Sequence, residues 1–177
     1  MKRKANVSWL IKVILISVAA SMAFTFASTE ILGHAGYPVA FVLLAVFITI
    51  GIVFDIIGVA VAAATEAPFH SMASRRERGA AESLNMVRNA EKVTSFCNDV
   101  VGDVTGIVSG TTAALIAAGL MEGLSTESVL LPLLISGCVT GLTIGGKAFG
   151  KALALRNSTA IVHRAGKLIS VIRRKSG

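Results

Sequence analysis

The sequence predicts an all-α, polytopic membrane protein with four transmembrane helices, cytoplasmic linker helices and a C-terminal basic amphipathic helix. Three observations predict it. Of the 177 residues, 54% are hydrophobic and only 15% charged, whereas a soluble domain carries about 25% charge. Four stretches reach the roughly 20 mostly apolar residues that a membrane helix requires. The 17 Lys and Arg fall into three groups separated by loops that contain none. Backbone groups in lipid must be satisfied internally, so these stretches read as helices. No alternating pattern suggests a barrel.

Segment one runs from about Val7 to Ser28, with Lys12 as its only charge. Basic residues, an apolar run and Thr25-Phe26-Ala27-Ser28 also fit a cleavable signal peptide. Segment two runs from Pro38 to about Thr65 with Asp55 mid-span. Segment three, about Ser95 to Gly119, holds Asp99 and Asp103 in its first half. Segment four runs from Ser128 to about Ile144. The loops Thr29–Tyr37 and Leu120–Glu127 lack Lys and Arg, so by the positive-inside rule both termini and the central loop are cytoplasmic. The expected location is the inner (plasma) membrane.

Between segments two and three, Met72, Ala80, Leu84, Val87 and Ala90 recur every three to four residues, which predicts one or two surface helices with Gly79 as the break. In the tail, Ile161, Ala165, Leu168, Ile169 and Ile172 share a helical face, while Arg164, Lys167, Arg173 and Arg174 lie elsewhere. Such a helix suits an anionic headgroup region, with Ser158 as its N-cap. A positively charged stop after the last span is the plainer reading. The tail has no aromatic residue for base stacking, which argues against nucleic acid.

Ionisable groups inside a bilayer are costly and mark functional sites. Asp99 and Asp103 are one turn apart and need a cation, a basic partner or a shared proton. Asn98, Thr65, Glu66 and Asp55 add oxygens of the type that hard divalent cations prefer. A structural ion pair, for example Asp103 with Lys147, is the competing reading. Gly102, Gly106 and Gly110, and Gly137, Gly141 and Gly145, form small-residue faces that permit close helix packing. No nucleophile–base pair or metalloprotease motif points to an enzyme. Cys97 and Cys138 cannot found a disulfide framework, and His34, His70 and His163 lie apart, without zinc-ligand spacing.

From about Ile52 to Ile172 the order of pieces carries a resemblance. Ala64-Thr65-Glu66-Ala67 is similar to an S-E-x-A element that ends a first helix. A basic linker, Arg75–Lys92, follows, with Asn89-Ala90-Glu91-Lys92 before the next span. Gly102-Asp103 stands where a G-N would fall. The run from Gly146-Lys147 to Arg156-Asn157 is similar to a G-E-x-x-P-K element and its basic sequel. These pieces resemble the transmembrane domain of the CorB/CorC/CNNM (cyclin-M-like) magnesium transporters, in a short form without the CBS pair.

The resemblance implies a homodimer that transports a divalent cation, Mg²⁺ by preference, with no resident cofactor. Asp99, Asp103, Asn98, Thr65, Glu66 and Asp55 would then handle the ion, with Lys147 as a modulator. The chain departs from the pattern at Ala63, Asp103, Lys147 and Gly150, which replace a serine, an asparagine, a glutamate and a proline. On this reading residues 1–29 are an additional N-terminal helix or signal peptide, 30–156 the CorC/CNNM-like bundle and 157–177 the tail. The alternative is a non-transporting interaction protein of the same fold, its ion site neutralised by Lys147, that binds lipid or a membrane-protein partner.

Overall fold

The computed structural model describes residues 7–124 and 129–175. All regular structure among them is helical: α1 (Val7–Ala63), α2 (Glu66–Ser74), α3 (Ala80–Arg88), α4 (Ala90–Ser95), a π-helical stretch (Phe96–Gly102), α5 (Asp103–Gly123), α6 (Leu130–Arg156) and α7 (Ser158–Lys175). Four stretches are long and apolar enough to cross a membrane: Ile11–Ile31, Gly36–Ala63, Ala90–Gly123 and Leu130–Arg156. The chain is therefore of the multi-pass type. It divides into two units, Met1–Gly51 with Val100–Gly145, and Ile52–Asp99 with Gly146–Gly177.

In the first unit, α1 doubles back on itself. Gly36 has φ +74°, open to glycine without strain, and Pro38 sits in the first turn beyond it, where a missing N–H costs nothing. The rings of Phe24 and Phe47 meet edge to face at 5.7 Å. Along one straight helix, residues 23 apart would be separated by ~35 Å. The first arm is pinned further by Ser28 and Thr112, whose buried hydroxyls lie 2.8 Å apart. Thr112 donates to the Val108 carbonyl, so Ser28 is the donor in the shared bond. The Tyr37 hydroxyl donates to the Gly119 carbonyl at 2.7 Å. Apolar contact among Ala40, Leu44, Ala113 and Ile116, and among Phe47, Val104 and Val108, fills the interior.

The second unit gathers the ends of three spans beneath a layer made of α2, α3 and α7. Phe69, Met86, Val162 and Ala165 bury against Ala60, Val61 and Ala154. The expected linker break falls at Gly79, whose φ is +82°. Because α3 packs on α7, the linker and the C-terminal helix lie on one side of any bilayer that the spans cross.

Three boundaries differ from expectation. The fourth helix does not stop near Ile144; it runs to Arg156, because Ala148 to Leu155 keep the helix going although Lys147 and Lys151 end the hydrophobic window. Segment three contains a π-helical stretch that no residue pattern announces. Helix α7 starts at Ser158, so Asn157 holds the capping position, its carbonyl accepting from the Ile161 N–H at 3.0 Å.

Candidate functional site

The site begins with two glycines of α6. A Cβ on Gly150 would stand 2.6 Å from Ile56 Cγ1, and one on Gly146 would collide with Ile52. Their absence lets α6 lie directly on the second arm of α1. Lys151 follows Gly150 and reaches Asp55, with Nζ 3.8 Å from Oδ2. The Asp55 side chain is 6% exposed and that of Lys151 is 53% exposed. The carboxylate is thus enclosed by the protein, whereas about half of the lysine side chain is not. At that distance the contact is an ion pair without a hydrogen bond. Asp55 Oδ2 is buried and has no hydrogen-bond donor.

Three residues further along α1, Gly58 receives the π-helical stretch. A Cβ there would collide with Asn98 Oδ1 and lie 3.1 Å from Cys97 Cβ. Thr94 secures the contact by donating to the Gly58 carbonyl at 3.1 Å. Asn98 Oδ1 is also buried without a donor. Residues three apart on a helix are surface neighbours, so Asp55 and the seat of Asn98 occupy one face of α1. A π-helical insertion re-aims side chains within a span and often marks functional positions. Two acceptor-only oxygens at the packed ends of spans call for a cation or a proton donor.

The other expected ligands have surroundings of their own. Asp99 and Asp103 are exposed and fall in different units. Asp99 accepts from the Ser95 hydroxyl at 2.5 Å. Thr65 is exposed at the start of α2. Glu66, also exposed, is committed to Arg88 at 3.0 Å and lies 3.3 Å from His70. These partners, Arg88 above all, hold its carboxyl below the usual range. Among the described residues, no three His, Cys, Asp or Glu side chains group closely enough to hold a metal. Lys147 is half-buried, and it is Lys151 that lies within 4 Å of Asp55.

Asp55 itself is off-centre rather than mid-span. It lies eight residues before Ala63, ~12 Å along the axis, in an arm of 28 residues. That arm is about 42 Å long at 1.5 Å per residue and exceeds the ~30 Å hydrocarbon layer.

Sequence reasoning missed Lys151 by counting it among the positive charges after the last span. The available signal was its place beside Gly150, one turn beyond Gly146. Five of the six triplet glycines leave open space: a Cβ on Gly106, Gly110, Gly137, Gly141 or Gly145 would meet nothing within 4 Å, whereas Gly102 is buried. Comparison with protein families, curated proteins and solved structures finds no match to this chain.

Proposed function

We propose that this chain is a multi-pass inner-membrane protein that moves a divalent cation, Mg²⁺ by preference, and that the ion passes Asp55 and Asn98. The observation that supports this reading is the pair of buried, donor-less oxygens on one face of α1, with a π-helical stretch supplying the second. Mg²⁺ takes one or two carboxylates and keeps much of its water, so a single buried carboxylate suits a transit site. The resemblance to the CorC/CNNM domain points the same way. Both termini and the α2–α3 linker lie in the cytoplasm, where the Lys and Arg concentrate. The protein works as a homodimer, with the open glycine faces of α5 and α6 as its contact, and it is neither an enzyme nor dependent on a resident cofactor. Asp99 and Asp103, exposed in the single chain, serve the ion once a second copy covers them. Lys147 modulates release.

The test is Mg²⁺ flux into liposomes containing the full chain and a Mg²⁺-sensitive dye. Flux that Asp55→Asn abolishes and Asn98→Ala reduces supports the proposal. A folded protein without flux overturns it.

One observation favours a second reading. The Lys151 ammonium already stands where a cation would approach Asp55. A permanent pair would make the chain a non-transporting interaction protein of the same fold, which binds a membrane-protein partner.

A further inference from the structure

Helix α7 docks by one face only. Val162, Ala165 and Gly166 are buried, and a Cβ on Gly166 would lie 2.6 Å from the Gly79 carbonyl of the α2–α3 turn. The buried Ser83 hydroxyl of α3 lies 2.8 Å from the Gly79 carbonyl and 3.2 Å from that of Val162. This register splits the apolar face expected from the sequence. Leu168 and Ile172 are 66% and 68% exposed, with Val171 at 45%. At 100° per residue, Leu168 and Ile172 stand within ~40° of each other, and Arg164 lies ~40° from Leu168. Lys167 and Arg173 are exposed on either side of the stripe.

Two facts identify what covers this surface. Only Asn157 separates α7 from the helix that forms the last span, so α7 starts within about 15 Å, ten helical residues, of Lys147, where the apolar window ends. From Ser128 to Gly177 the sequence holds eight Lys and Arg and no acidic residue. An exposed apolar stripe edged by cations matches an anionic lipid surface: the stripe enters the acyl boundary and the long cations reach the phosphates. We infer that the Leu168–Ile172 face of α7 lies in the headgroup layer and binds anionic lipid. This inference does not rest on cation transport.

Trp9 is the only tryptophan, so Leu168→Trp in a Trp9→Phe background reports this face alone. Ile172→Trp provides a second probe should the first disturb the fold. The full chain is reconstituted in phosphatidylcholine and in phosphatidylcholine–phosphatidylglycerol vesicles containing lipids brominated near the headgroup. Expected is bromine quenching that grows with phosphatidylglycerol, the lipid preference falling about fivefold for each of Arg164→Gln and Lys167→Gln. A water-exposed, unquenched indole overturns the inference. So does a shielded indole that bromine does not quench, which would mean a protein contact. Equal quenching in both vesicles overturns the recognition of anionic lipid.

Discussion

Gly166 of α7 and Ser83 of α3 touch so closely that the glycine could carry no side chain: a Cβ would collide with Ser83 Oγ and stand 2.9 Å from the Ser83 N–H. The opposite side of the same contact is Gly79, where a Cβ would lie 2.5 Å from the Lys167 backbone nitrogen. Two glycines thus set the register of α7 on the linker. Overpacking a close contact typically costs about 1–3 kcal/mol. Gly166→Ala is expected to lower the thermal midpoint and to expose α7 to protease before the spans unfold. Gly79→Ala is expected to do the same with added strain from its positive φ. Unchanged proteolysis of α7 in both variants would contradict this register.

Much of the fold follows from hydropathy and glycine placement. The four spans and the break at Gly79 follow from apolar length and from the one residue type that tolerates φ +82°. The docked face of α7 did not. Periodicity groups Leu168 and Ile172 with Ala165, but Gly166 and Gly79 decide the register, because they let the two backbones close, and Val162 is the side chain that this buries. The glycine triplets show the same ambiguity, since a small-residue stripe reads alike whether covered or open. The partner of Asp55 depended on how α6 lies against α1, which Gly146 and Gly150 set through Ile52 and Ile56, a tertiary fact with no local signature.

The Glu66–Arg88 contact ties the start of α2 to the end of α3. Because Arg88 and His70 hold the Glu66 carboxyl below its usual range, the clip contributes stability above the unfolded carboxylate value, and this is lost as pH falls through the lower folded value. Protease sensitivity of the linker is therefore expected to rise in acid, below about pH 4.3. In Arg88→Gln the Glu66 titration returns towards its ordinary position, so the linker is more protease-sensitive at neutral pH and its sensitivity changes less on acidification. Identical acid profiles for wild type and Arg88→Gln would refute the clip.

Segment one is held near its far end: Ser28 is buried and bonded to Thr112, and Phe24 meets Phe47 edge to face. We expect it to remain attached, with intact mass near 18.3 kDa for the membrane-extracted chain. Ser28→Ala leaves Thr112 its bond to Val108 and is expected to cost about 1 kcal/mol in thermal unfolding. A mature product beginning near Thr29 would refute the assignment.

The most direct test of Asp55 as the cation-binding group removes its tethered partner. Breaking a buried pair leaves an uncompensated charge, worth up to about 3–5 kcal/mol when both partners are buried and less here, where the protein encloses only Asp55. Lys151→Met is therefore destabilised, and Asp55 becomes free to take an ion. The measurement is the Tm of the purified full chain with and without Mg²⁺. Expected is a Mg²⁺-dependent rise in Lys151→Met that disappears in the Asp55→Asn, Lys151→Met double variant. Equal Tm with and without Mg²⁺ in Lys151→Met, or an equal rise in both variants, would contradict the assignment.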